Sequence, residues 1–175
     1  MKKIFTTKRL LIREFEPDDW QDVYEMNSCV DVIRLIGDGQ VKTIEEEKTG
    51  FERILLSYKK GDGLGIWAVT SRKESTFIGA ASMTVLEGTD EIQLGYRFKM
   101  NCWGQGYATE VAKGLVEYGF GHLRLKRIAA TTNLANNASR RVLEKAGLTF
   151  EKKGIFYNWE MNYLAIVSSK QALSK

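Results

Sequence analysis

One junction constrains the fold of this chain more than any other. The segment Asn101-Cys102-Trp103-Gly104-Gln105-Gly106-Tyr107-Ala108-Thr109-Glu110 carries the chain from an extended stretch into a helical one. Ahead of it, Ile66 to Thr70, Phe77 to Val85 and Glu91 to Phe98 are strand-like runs joined by short polar connections, the pattern of an antiparallel meander. Behind it, helical periodicity runs from Gly106 to about Phe120, and Arg127 to Thr132 is extended and β-branched. Strand, helix, strand in that order makes a parallel crossover, so Ile92 through Thr132 sets one parallel pair inside an otherwise antiparallel sheet.

The flanks complete the pattern. Arg9-Leu10-Leu11-Ile12-Arg13-Glu14-Phe15 reads as a first strand, and Pro17-Asp18-Asp19 opens a helix to about Asn27, because proline suits the first turn and early carboxylates favour the positive end of the dipole. Thr43 with Glu46 has the form of a capping box, and Phe51, Ile54, Leu55 and Tyr58 recur at helical spacing until Lys59-Lys60-Gly61. A helix from Asn137 to Ala146 and two extended segments ending near Val167 follow. The expected order is βααβββαβαββ. It describes an α+β (mixed α/β) domain with one mixed, mostly antiparallel sheet, a central parallel pair and helices on both faces. At 175 residues the chain suits a single domain, 1–175.

Composition excludes more than it identifies. Hydrophobic residues at 43% and charged residues at 27% are ordinary for a soluble protein, and no run approaches the roughly 20 apolar residues a bilayer span needs, so no membrane partner is expected. The start, Met1 to Lys8, has no apolar run behind its lysines, which argues against a secretory leader and for the cytoplasm. Cys29, Cys102 and the single His122 are too isolated for a metal site or a disulfide framework. The net charge of +4 does not by itself imply nucleic acid, since a phosphate-rich ligand would also account for it.

Gly104 and Gly106 stand where a strand meets a helix. Such a turn leaves consecutive N–H groups unpaired at the positive end of the helix, and glycine lets a phosphate approach the main chain. The plain alternative is a tight turn and nothing else. A dinucleotide fingerprint fits poorly: its third glycine falls on Thr109, and the region about 20 residues on, Lys126-Arg127-Ile128, holds no acid for a ribose.

Four stretches, in order, resemble the GNAT superfamily of N-acetyltransferases. Its phosphate loop reads Q/R-x-x-G-x-G/A; Trp103 to Ala108 departs at the first position, and Trp-Gly-x-Gly-Tyr-Ala-Thr-Glu is the form that resembles the branch of ribosomal-protein N-terminal acetyltransferases. Thr7 to Arg13 with Pro17-Asp18-Asp19 resembles that branch's opening strand and helix, and Asn136 to Leu148 its second cofactor-side helix. Ile78-Gly79 and Leu94-Gly95-Tyr96 fall in the expected places between. The resemblance implies an acyltransferase with acetyl-CoA as cosubstrate and no metal. Its acceptor would be an amine, a ribosomal protein N-terminus or a small molecule, and a homodimer follows by analogy alone.

It also implies a site. If the strand ending at Phe98 splays from the strand starting at Arg127, the gap exposes main-chain groups that an extended pantetheine arm can pair with. The diphosphate would meet the amides from Gly104 through Gln105, Gly106, Tyr107 and Ala108 to Thr109, beside Phe98 and Trp103. Asn136 would cap the next helix or offer its amide to the cofactor. Where many members place a tyrosine that protonates the leaving thiolate, this chain has Leu143. Ser139, one helical turn earlier on the same side, is the local substitute, and members of that branch carry serine there too; the alternative is a serine that merely satisfies a backbone donor. Gln93 occupies a position where the branch often has glutamate and cannot take a proton, which leaves Glu91, Glu160 or a water chain as the base. Glu110 reads as a structural partner. The competing function is a non-catalytic domain of the same fold that senses coenzyme A.

Overall fold

The computed structural model describes residues 2–37 and 39–168. Its eight strands form one sheet in the order β1-β2-β3-β4-β5-β6-β8-β7. β1 (Lys3–Thr6), β2 (Leu10–Arg13), β3 (Gly65–Ser71), β4 (Phe77–Val85) and β5 (Ile92–Phe98) each pair antiparallel with the next. β6 (Arg127–Asn133) runs parallel to β5, and β8 (Trp159–Val167) lies antiparallel between β6 and β7 (Thr149–Phe156). This is the expected mixed sheet with its one parallel pair.

Two elements exceed the expected order. β1 is four residues long, and α2 (Val30–Ile33) is a single turn. Both are too short to express a period in the sequence. The first expected strand also ends early, at Arg13, and Pro17–Asp19 forms a 3-10 turn before α1 (Trp20–Asn27). The reason is local. The Asp19 carboxylate accepts from both Arg13 Nη atoms, at 2.5 and 2.8 Å, and from the Glu16 N–H at 2.7 Å, which folds the chain back over β2.

The capping box is present at the start of α3 (Ile44–Ser57): Thr43 Oγ1 accepts from the Glu46 N–H at 3.2 Å while Glu46 Oε2 accepts from the Thr43 N–H at 2.9 Å. α1 and α3 cover one sheet face through Phe15, Val23, Phe51 and Ala68, with the Phe15 and Phe51 rings edge to face at 5.2 Å. α4 (Tyr107–Gly121) and α5 (Asn137–Lys145) share the main core on the opposite face, where Leu94 and Phe98 of β5 meet Val111, Ala112 and Leu115 of α4 and Leu143 of α5. Each of the larger of these side chains contributes about 1.5–3 kcal/mol by leaving water, so α4 and α5 are fixed against β5 before any ligand arrives. Among the described residues no helix is long and apolar enough to cross a membrane.

Candidate active site

β5 and β6 touch at one register pair, Gln93 opposite Ala129. Beyond it β5 stays paired with β4 as far as Phe98 opposite Gly79, and β6 with β8 as far as Asn133 opposite Met161, but the two no longer pair with each other. The sheet is therefore split at the C-terminal ends of its parallel strands. Each lip presents main-chain groups that no strand satisfies, the condition for an extended ligand to pair there.

The phosphate-cradle candidate lies at the mouth of this split. Gly104 (φ 74) and Gly106 (φ 79) are both left-handed, and Gly106 is the N-cap of α4. The Glu110 N–H is the first to enter the helical ladder, on the Gly106 carbonyl at 3.1 Å, so the N–H groups of Tyr107, Ala108 and Thr109 precede the ladder at the positive end of a 15-residue helix. Side chains hold the loop in this shape. Trp103 Nε1 donates to the Phe98 carbonyl at 3.0 Å, Gln105 Nε2 to the Asn101 carbonyl at 3.0 Å, and Arg9 Nη1 to the Gln105 carbonyl at 2.9 Å. Phe98 itself is a core residue.

Glu110 is a structural partner. Its carboxylate accepts from Thr7 Oγ1 at 2.6 Å, the Arg9 N–H at 2.8 Å and Arg9 Nε at 2.7 Å, and the Arg9 guanidinium lies 4.4 Å over the Tyr107 ring. Burial pushes the carboxyl up, but these bonds outweigh it and hold Glu110 below its ordinary value.

At the start of α5, Asn136 Oδ1 accepts from the Ser139 N–H at 3.0 Å. The cap is real, and it leaves the Asn136 amide nitrogen for another acceptor. Ser139 is not capping anything with its hydroxyl: Oγ lies 3.0 Å from the Tyr96 hydroxyl, which also donates to the Ser139 carbonyl at 3.2 Å. Desolvation lifts the Tyr96 phenol to about 12, so it stays protonated at neutral pH. Sequence reasoning missed Tyr96. The available signal was its place in strand alternation, which puts it on the face of Leu94 and Phe98, toward α4 and α5. Leu143, where the resemblance places a tyrosine, is buried in the core.

The two candidate bases sit apart from this group. Glu91 precedes β5, and both its oxygens are engaged, Oε1 by Arg127 Nε at 2.9 Å and Oε2 by the Tyr163 hydroxyl at 2.7 Å. The Tyr163 hydroxyl and the carboxylates of Glu151 and Glu91 push Arg127 above its ordinary value, with both carboxylates paired directly to its guanidinium. Glu160 is exposed at the start of β8, opposite Ile155 and one strand removed from the split. Gln93 closes the inner end of the split: its side-chain oxygen accepts from Thr131 Oγ1 at 3.3 Å and its amide donates to the Tyr157 hydroxyl on the β7–β8 turn.

Trp67 is core, whereas Trp103 and Trp159 are 45% and 46% exposed. A separate cleft of about 410 Å³ is lined by Lys2, Glu14, Tyr118 and His122. It lies at the C-terminal end of α4, about 20 Å along the helix from Gly106, where the dipole disfavours phosphate.

A family model for an acetyltransferase (GNAT) domain matches residues 9–149. The N-acetyltransferase YnaD of Bacillus subtilis is 36% identical over 173 residues, spanning 94% of this chain and 97% of that protein. Among solved structures, an acetyltransferase of the GNAT family from Bacillus anthracis superposes with a TM-score of 0.80 at 30% identity, covering 93% of this chain and 96% of the other. The ribosomal L7/L12 α-N-protein acetyltransferase RimL in complex with coenzyme A superposes with a TM-score of 0.79 over 95% of this chain and 98% of its own; at 15% identity it shares the fold.

Proposed function

The chain belongs to the GNAT acetyltransferase family, and on that premise we propose that it moves the acetyl group of acetyl-CoA to a primary amine, a protein N-terminus or a small molecule, by direct attack in a ternary complex. The observation that carries this reading is the split between β5 and β6, with the open N-terminus of α4 and the Asn136 cap of α5 at its mouth.

The residues present fit the cosubstrate. Left-handed glycines bare the main chain at the loop, and three N–H groups without a helical acceptor are placed to receive an anion. Residues 104–109 would hold the diphosphate, the lips of β5 and β6 would hold the pantetheine arm, and the Asn136 amide would reach one of its carbonyls. When bound, acetyl-CoA supplies a thioester carbonyl open to amine attack and a thiolate as leaving group. Ser139 Oγ–H would protonate the thiolate as the carbon–sulfur bond breaks and the carbon–nitrogen bond forms; the amine's proton leaves to water, and a proton from water restores the serine. Tyr96, 3.0 Å from Ser139 Oγ and 3.2 Å from the Ser139 carbonyl, fixes the serine hydroxyl in place; when the phenol proton turns to Oγ, the serine proton is free to face the split. With both Glu91 oxygens engaged and Glu160 one strand removed from the split, water takes the amine's proton in this reading.

Leu143 favours a second reading, a domain that binds coenzyme A without turnover. Two measurements separate them. Coenzyme A at a hundredfold excess over Kd should stabilise the fold by about 2.7 kcal/mol, and NAD should not. Mass spectrometry of a broad amine panel with acetyl-CoA should then show acetylated product. Stabilisation without any product selects the binder, and stabilisation by NAD alone sinks both.

A further inference from the structure

The acceptor side of β5 carries a cation with no anion. Leu94, Tyr96 and Phe98 point to α4 and α5, so Gln93, Gly95 and Arg97 occupy the opposite face, where Gln93 meets Thr131 and Tyr157 and Arg97 meets Asn27 of α1. Arg97 Nη1 donates to Asn27 Oδ1 at 2.6 Å, and Asn27 Nδ2 donates to Glu47 Oε1 at 2.6 Å. The nearest carboxylate thus reaches the guanidinium through a neutral amide. Among the described residues Arg97 makes no salt bridge, and four of its five N–H donors have no partner.

The contrast with its neighbours is informative. Arg13 and Arg127 are paired directly with carboxylates and pushed up. Arg97 is pulled down by burial, with Glu47 offsetting only part of that, although it remains charged. Arg97 is only half-buried, and none of its unpartnered nitrogens is sealed from solvent, so those donors are open to an incoming anion. Its position says what kind. Arg97 stands two residues, about 7 Å, along the strand from Gly95. Gly95 has no side chain, and a Cβ there would sit 2.6 Å from Ser82 Oγ, so this stretch of the lip is bare main chain beside a hydroxyl. An amine that reaches the split across Gly95 keeps its other end within range of the guanidinium.

We propose that Arg97 is an anion subsite of the acceptor pocket, so that the preferred acceptor is an amine that also bears a carboxylate. A polycation would meet a like charge at the same place. The subsite rests on the acyl-transfer reading of this pocket, and the test separates the two. Free L-amino acids, each against its C-terminal amide, are titrated calorimetrically into the protein saturated with coenzyme A, with spermidine as the cationic control. Acetylated product is measured in parallel. Amidated dipeptides with aspartate in second place distinguish a side-chain carboxylate on a peptide from that of a free amino acid.

Carboxylate forms should bind and turn over about tenfold to a hundredfold better than the neutral amides, the usual worth of a charge-assisted pair. Arg97→Gln, which keeps a donor for Asn27, should bring that ratio to about one, and Arg97→Lys should retain part of it. The Gln variant should melt close to the parent, because it keeps a donor for Asn27 and the donors it loses face water; a lower melting temperature together with an unchanged ratio would make Arg97 a structural tie. Equal or tighter binding of amides or spermidine, or no binding of any carboxylate amine, overturns the subsite. Carboxylate-selective binding with no product keeps the subsite and overturns acetyl transfer.

Discussion

Ser139→Ala separates chemistry from stability because the two roles of this residue use different atoms. The helix cap uses the Ser139 N–H, 3.0 Å from Asn136 Oδ1, and alanine keeps it. What the variant removes is Oγ, 3.0 Å from the Tyr96 hydroxyl. That phenol is not orphaned, since the carbonyl of residue 139 still accepts from it at 3.2 Å. The loss is one hydrogen bond without an unsatisfied buried group, about 1 kcal/mol, which in a domain of this size lowers Tm by about 2–4 °C. If Oγ–H protonates the thiolate, kcat should fall about 10²-fold to 10⁴-fold with the KM for acetyl-CoA unchanged. Tyr96→Phe leaves the serine but lets its proton turn away from the split, and about a tenfold fall in kcat should follow, the worth of one hydrogen bond in the transition state. Steady-state kinetics and thermal melts on the same preparations decide the matter. Full turnover in Ser139→Ala would refute the assignment and give the proton to solvent.

Other changes probe the frame around that site. Gly106→Ala forces a side chain onto φ 79 with only Arg9 Nη2 nearby, at 3.6 Å, so it should cost about 1–2 kcal/mol from the left-handed backbone alone; Gly106→Val should cost more and raise the KM for acetyl-CoA at least tenfold, and a folded variant with an unchanged constant would return the loop to an ordinary turn. Glu110 is held below its ordinary carboxyl value, so its contribution is fully present above that value and is lost as pH falls through the folded one; Glu110→Gln should remove this acid-side slope from a pH series of melts and loosen acetyl-CoA binding. Tyr96 has the opposite sense: raised to about 12, its contribution is present below the ordinary tyrosine range and lost as pH rises through the folded value, and the kcat profile should show no tyrosine titration below about pH 11. Glu91→Gln, in a cluster about one-third exposed, should cost no more than about 1 kcal/mol; a hundredfold loss of kcat would instead make Glu91 the base.

What was legible in the sequence is what local rules govern. The two glycines of residues 104–106 and the capping box at Thr43 each depend on residues within one turn of each other, the crossover from β5 to β6 on the period of each successive element, and each stands where the residues predict it. Asn136 was legible as a choice between capping and ligand binding; the side chain has an acceptor for the first and a spare donor for the second. The Tyr96–Ser139 contact spans 43 residues, the Glu91–Arg127 pair 36, and the Arg97–Asn27 bond 70, and no periodicity records such meetings. Glu91 therefore read as a candidate base, and Arg97 carried no signal at all.

The single pairing between β5 and β6 has a further consequence, for the order in which the molecule folds. Strands β1 to β5 are sheet neighbours in the order they are synthesised, so residues 3–98 assemble by successive adjacent pairings, although the β2–β3 connection carries α1 to α3. Residues 127–167 form a second group whose three strands pair among themselves. Only Gln93 opposite Ala129 joins the two groups through the sheet, and α4 bridges them from one side. Native-state hydrogen exchange should resolve two cooperative units with their boundary at this seam, the first able to form while the second is still on the ribosome.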